Sequence, residues 1–119
     1  MTHATHLFPL TWIPTTVTPA DLETYGAAPA DVGGVRVALY AVDDQFYATA
    51  DLCTHGHGSL SEGFLDGEIV ECPLHQGLFN VKTGEAVGAP CTVAVKTYPV
   101  KLQDGALHVA LRLDDDDAS

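Results

Sequence analysis

From Val35 to Val42 nearly every position is apolar. Val35, Val37, Leu39 and Ala41 fall on one face of an extended chain, and Tyr40 and Val42 make the other face partly apolar. That pattern predicts a strand covered on both sides. Asp43 and Asp44 interrupt it, and Gln45 to Thr49 reads as the returning strand of a hairpin. Near the C-terminus Leu107, Val109, Leu111 and Leu113 alternate with His108, Ala110, Arg112 and Asp114, a period of two that predicts an inner and a wetter face. The Asp104-Gly105 pair before it is a hairpin turn signal, with Thr97 to Leu102 leading in and Pro99 weakening one position. In the middle, Phe64-Leu65, an Asp66-Gly67 turn and Ile69 to Glu71 form a small predicted hairpin. Leu78 to Val81 followed by Thr83-Gly84 gives a further strand and turn. A single helical turn is expected early, with Thr18 as cap, Pro19 in the first helical position and Asp21 facing the open N–H groups; Gly26 and Pro29 keep it short. With no repeat, heptad or long helical periodicity, the economical fold is a small all-β domain whose cysteine- and histidine-bearing segments are loops.

Length adds one constraint: 119 residues suit a single domain, 1–119, with no room for an independent second core. There is no apolar run long enough to cross a bilayer and no basic start leading into an apolar segment, so the expected location is cytoplasmic, with no membrane partner. Sixteen acidic residues against five basic ones give a formal charge of -11, which argues against nucleic acid and favours a basic patch on another protein. Asp114 to Asp117, within a tail at 114–119, read as a frayed, solubilising end. Three cysteines, Cys53, Cys72 and Cys91, cannot close a set of disulfides, and a reducing compartment would disfavour them in any case.

Two of those cysteines have histidines beside them. CTHGHG, residues 53 to 58, places Cys53 and His55 one residue apart, and CPLHQG, residues 72 to 77, places Cys72 and His75 two apart, with sixteen residues between the pairs. Two such loops joined by a hairpin can close four positions around a metal centre. Glycines at 56, 58 and 77 relieve crowding near a compact inorganic core, and Pro73 stiffens the second loop. These ingredients suit zinc as well as iron and sulfide.

The paired C-x-H and C-x-x-H motifs, with THG, LSEG, ECPLHQG, the strand LFNV and the TGEA turn around them, resemble the Rieske [2Fe-2S] family over most of Ala50 to Pro90, and weakly at Trp12 and the TYPV segment at 97–100. The resemblance implies a Rieske-type iron-sulfur fold: a small antiparallel β-sandwich with a cluster-binding subdomain of two loops at about 50–90. It implies one [2Fe-2S] cluster per chain, with Cys53 and Cys72 on one iron and His55 and His75 on the other. Two ferric ions, two sulfides and two thiolates sum to zero charge, so an electron enters more readily than into an all-cysteine cluster. Respiratory and photosynthetic members resemble C-T-H-L-G-C with C-P-C-H-G-S, which adds a disulfide and a serine hydroxyl. Here Gly58 and Leu74 stand at the disulfide positions and Gly77 at the serine position, which places the potential toward the low end of the Rieske range, roughly -150 mV.

Other residues have plainer readings. His57 would exceed the ligand set and reads as a solvent-facing loop residue near a docking surface; Leu74 and Gln76 cover the cluster edge. Cys91 is a structural or semi-exposed free cysteine rather than a ligand or nucleophile, Thr54 belongs to loop structure, and His3, His6 and His108 carry no site. Tyr40, Phe46, Tyr47, Phe64 and Phe79 are core or cluster-shielding aromatics. The resemblance implies a Rieske ferredoxin, not itself an enzyme, that takes one electron from a flavin-containing NAD(P)H-dependent reductase and delivers it to a terminal aromatic-ring-hydroxylating oxygenase. C-terminal to the four ligands the chain offers only His108, too few histidines there for a mononuclear two-histidine, one-carboxylate iron site. The rivals are a Rieske-like small subunit of an NADH-dependent nitrite reductase, a structural Cys2His2 zinc module, and a detached N-terminal domain of an oxygenase large subunit.

Overall fold

The computed structural model describes residues 10–54, 58–74, 77–88 and 93–111. Three antiparallel sheets account for nearly all of the regular structure. The strands run β1 (Thr11–Pro14), β2 (Ala27–Val32), β3 (Val35–Val42), β4 (Gln45–Ala50), β5 (Phe64–Asp66), β6 (Ile69–Glu71), β7 (Leu78–Asn80), β8 (Ala86–Gly88), β9 (Thr97–Tyr98), β10 (Val100–Gln103) and β11 (Ala106–Leu111); among the described residues there are also an α-helix, α1 (Pro19–Tyr25), after β1 and a single 3-10 turn at Leu60–Glu62 before β5. The sheet orders are β1-β11-β10, β2-β3-β4-β9 and β5-β6-β7-β8.

β3 is the wall on which both cores are built. Val37 and Leu39 join Val32, Ala48, Tyr98, Leu107, Val109 and Leu111 in the sandwich core, with Val17 and Leu22 from the helical segment. Ala38, Tyr40 and Val42, on the opposite face, join Cys53, Leu60, Val70, Cys72, Phe79, Val81 and Val95. The two apolar phases of Val35–Val42 therefore serve two separate cores. A fully buried Val, Leu or Phe contributes about 1.5–3 kcal/mol, and both cores are rich in them.

Local chemistry sets the connections. Thr18 and Asp21 form a reciprocal capping box at α1, whose C-terminal Gly26 sits at φ 80. Val32 pairs with Val35, Val42 with Gln45 and Gln103 with Ala106, so each loop between them holds two residues. Gly33-Gly34, Asp43-Asp44 and Asp104-Gly105 all have positive φ at both positions, the signature of a type I′ turn. Two aspartates are costly there. Asp44→Gly should raise stability by about 0.5–1 kcal/mol, the left-handed penalty of about 1–2 kcal/mol less the added chain entropy of glycine, read from the denaturant midpoint.

Several details depart from the sequence-based expectation. Asp66 pairs directly with Ile69, so the turn residues are Gly67-Glu68, with Gly67 alone at positive φ. Pro99 does more than weaken a strand. β9 pairs with β4 in one sheet and β10 with β11 in another, and the missing N–H falls where the chain changes sheets; its carbonyl still accepts from Ala110 at 3.0 Å. Ala110 is buried although it lies on the face expected to be wetter, because it pairs with Trp12, over whose ring the Lys101 ammonium sits at 4.5 Å. Phe64 is 66% exposed rather than core; β5 is an edge strand, and its neighbour Leu65 packs inward instead. Leu113 and the acidic tail lie outside the described residues.

Candidate metal centre

Cys53 and Cys72 are both buried and belong to one core with Tyr40, Leu60, Val70 and Phe79. Each opens a loop closed in the same way. The Cys53 N–H donates to the Gly58 carbonyl at 2.8 Å, and the Cys72 N–H donates to the Gly77 carbonyl at 2.8 Å. Below these closures the loops stand on different footings. The second rises from the β6–β7 hairpin, where Glu71 pairs with Leu78, and so from a four-stranded sheet. The first has an isolated bridge between Leu52 and Ser59.

The loops meet at Gly58. A Cβ placed there would lie 2.5 Å from the Cys72 Sγ and 3.6 Å from the Leu74 Cβ. Bare backbone is thus what lets the first loop lie against the second loop's cysteine. The latter separation falls within the range of Cβ atoms in a disulfide, so Gly58 and Leu74 do face each other as the disulfide positions of the high-potential motif would. Thr54 serves loop structure, as its sequence context suggests: its hydroxyl donates to the Val93 carbonyl at 2.7 Å. Leu52, Leu74 and Val93 are 59%, 61% and 62% exposed, an aliphatic rim around two buried sulfurs. Beside Cys72, a cleft of about 360 Å³ is lined by Glu62, Gly63, Phe64, Glu71, Cys72 and Pro73.

His55, His57, His75, Gln76, Cys91, His3 and His6 lie outside the described residues. His108 is on β11, in the sheet away from both cysteines. What the sequence reading missed is Asp51. This buried carboxylate accepts from the Ser59 hydroxyl and from the Ser61 N–H at 2.8 Å, and its backbone carbonyl accepts from Leu60 N–H at 2.7 Å. Its signal was present as polar residues bracketing the loop, Asp51 two before Cys53 and Ser59 and Ser61 just after Gly58. Deeper in, the Tyr40 hydroxyl bonds Thr49 at 3.0 Å, and Thr49 donates to the Ala50 carbonyl at 2.9 Å. Burial is the first cause that pushes the Tyr40 phenol well above its ordinary range, which keeps it neutral.

Comparison with known proteins decides the family. Residues 13–99 match the Rieske [2Fe-2S] domain. The chain belongs to the Rieske [2Fe-2S] family. The Rieske chain is 53% identical to the ferredoxin CarAc of Metapseudomonas resinovorans over 66% of its length and 74% of that protein's. It is 56% identical to the ferredoxin component of the naphthalene 1,2-dioxygenase system of Pseudomonas aeruginosa, over 67% of its length and 77% of the relative's. Among solved structures it superposes with TM-score 0.75 and 44% identity on a chain of the complex of reduced oxygenase and oxidized ferredoxin in carbazole 1,9a-dioxygenase, covering 83% of this chain and 92% of that one. A Rieske domain holds a [2Fe-2S] cluster, and the donor chemistry fits: soft thiols from two loops, brought together where a glycine leaves the space clear. The protein is an electron-transfer ferredoxin rather than an enzyme.

Proposed function

We propose that this Rieske ferredoxin carries single electrons from a flavin-containing NAD(P)H reductase to a terminal aromatic-ring-hydroxylating oxygenase, with Cys53, Cys72, His55 and His75 as the cluster ligands. The bound cluster would supply reversible one-electron chemistry at a potential raised by its imidazoles. The chain's own residues do the rest. Cys53 and Cys72 anchor the loops in the core, the Gly58 and Gly77 carbonyls fix the cysteine backbone, and Leu74 covers the edge.

The observation that carries this reading is the exposed aliphatic rim of Leu52, Leu74 and Val93 over two buried thiols. Such a site suits close approach of another protein's surface better than enclosure of a small substrate. The relatives named as ferredoxin components of dioxygenase systems, and the solved complex with an oxygenase, support the choice of partner. A net charge of -11 favours basic partner surfaces, so transfer rates should fall with added salt. We place the protein in the cytoplasm, where Cys53 and Cys72 would stay reduced for cluster assembly. No helix among the described residues is long and apolar enough to cross a membrane. The unit is proposed as one domain over 1–119, with the cluster-binding part at about 50–90.

The deciding experiment is a redox titration of anaerobically purified protein followed by EPR. We expect iron and acid-labile sulfide in equal amounts, a rhombic signal on reduction, and a potential near the low end of the Rieske range, roughly -150 mV. A potential toward the upper end, roughly +300 mV, would overturn the oxygenase assignment.

A further inference from the structure

Asp51 is 4% exposed and lies just past the end of β4, two residues before Cys53. Its N–H donates to the Arg36 carbonyl at 3.1 Å and its C=O accepts from Leu60, so the backbone is already tied on both sides. The carboxylate adds three partners from separate places: the Ser59 hydroxyl, the Ser61 N–H at 2.8 Å, and the Arg36 Nε at 3.5 Å. The second cluster loop needs no such device, because β5 to β8 continue the ladder beneath it. Asp51 gives the first loop the footing that strand pairing gives the second.

The position also has an electrostatic consequence. Asp51 is separated from Cys53 by at most about 7 Å of extended chain, in surroundings that screen charge less than water does. A carboxylate there opposes the arrival of an electron at the loops. The Arg36 side chain, 54% exposed at the surface, offsets that charge from the solvent side.

We propose that Asp51 is a positioning residue for the first cluster loop and that the Arg36–Asp51 pair tunes the reduction potential of the group the loops hold; this rests on the Rieske reading above. The two charges act with opposite sign. Removing the negative one makes reduction easier, and removing the positive one makes it harder.

The test uses anaerobically purified holoprotein, with iron, sulfide and potential measured for each variant. Asp51→Asn keeps an acceptor oxygen for the Ser61 N–H and turns its NH2 toward the Ser59 hydroxyl, which can accept from it, and it should raise the potential. Arg36→Gln should lower it, with Arg36→Lys returning it toward the parent value. Lys101→Gln, a charge removed on the outer face of another sheet, should leave it unchanged. Asp51→Ala should lose iron to a chelator faster than the parent, and Asp51→Asn should restore retention. Shifts of the same sign in Asp51→Asn and Arg36→Gln, or no shift in either, would overturn the tuning role. Equal iron retention in Asp51→Ala and the parent would overturn the positioning role. If Asp51→Asn does not retain its cluster, the sign in Arg36→Gln decides alone: a lowered potential upholds the proposal and any other result overturns it. A parent protein without iron and sulfide would instead overturn the Rieske reading itself.

Discussion

Cys72→Ser is expected to give a chain with no bound iron-sulfur group, colourless as purified and lacking both iron and acid-labile sulfide. Cys72 is fully buried among Val70, Phe79, Tyr40 and Leu60, and its N–H is held by the Gly77 carbonyl. Serine fits this space, so the backbone loop should survive; what is lost is the soft, readily ionised sulfur that iron requires. Cys53→Ser should behave alike, since Cys53 shares the same core and the same closure, to the Gly58 carbonyl. Cys91→Ser should retain full colour, because only the other two cysteines are assigned as ligands. Metal binding and folding are coupled, so the two colourless variants should also melt well below the parent. A Cys72→Ser protein with undiminished iron would sink the ligand assignment.

Gly58→Ala should cost about 1–3 kcal/mol of stability and most of the cluster occupancy. A new Cβ would meet the Cys72 Sγ at 2.5 Å and the Leu74 side chain at 3.5 Å, and the loop has little freedom to yield while the Gly58 carbonyl holds the Cys53 N–H. Gly34→Ala is the informative contrast. At Gly34 a Cβ meets nothing within 4 Å, but φ is +91, so the cost is conformational, about 1–2 kcal/mol. It falls on a turn in another part of the fold. We expect Gly34→Ala to lower the melting temperature with iron content unchanged, and Gly58→Ala to lower both. Equal iron content in the two would show that the space at Gly58 is not what brings the loops together.

These contrasts mark where the sequence is legible. Periodicity and turn chemistry are local properties, so β3 with its two covered faces, the capping box at Thr18 and the hairpin at Asp104-Gly105 can be read directly. The paired cysteine-histidine spacings point to the metal centre for the same reason, and the structure places both cysteines in one core. Contacts made at a distance in sequence are harder. β2, with Pro29 on an edge strand and a modest alanine-rich run, carries no strong strand pattern and is fixed by pairing with β3. Pro99 signals an interruption, but that the strands on either side enter different sheets depends on β4 and β11. Phe64 is apolar by composition and exposed by topology, since only the fold makes β5 an edge. Asp51 is an ordinary acidic residue until Arg36, Ser59 and Ser61 are assembled around it.

The double-sided burial of β3 bears on how such a protein can be rebuilt. Val37 and Leu39 belong to the sandwich, whereas Ala38, Tyr40 and Val42 belong with the cysteines. A designer who wished to transplant the redox module onto a different scaffold would find no peptide bond at which to cut. The seam runs lengthwise through one strand, between alternate side chains, so the recipient must already carry a tyrosine and two small aliphatics at the matching positions of its own sheet before the loops have a floor to stand on.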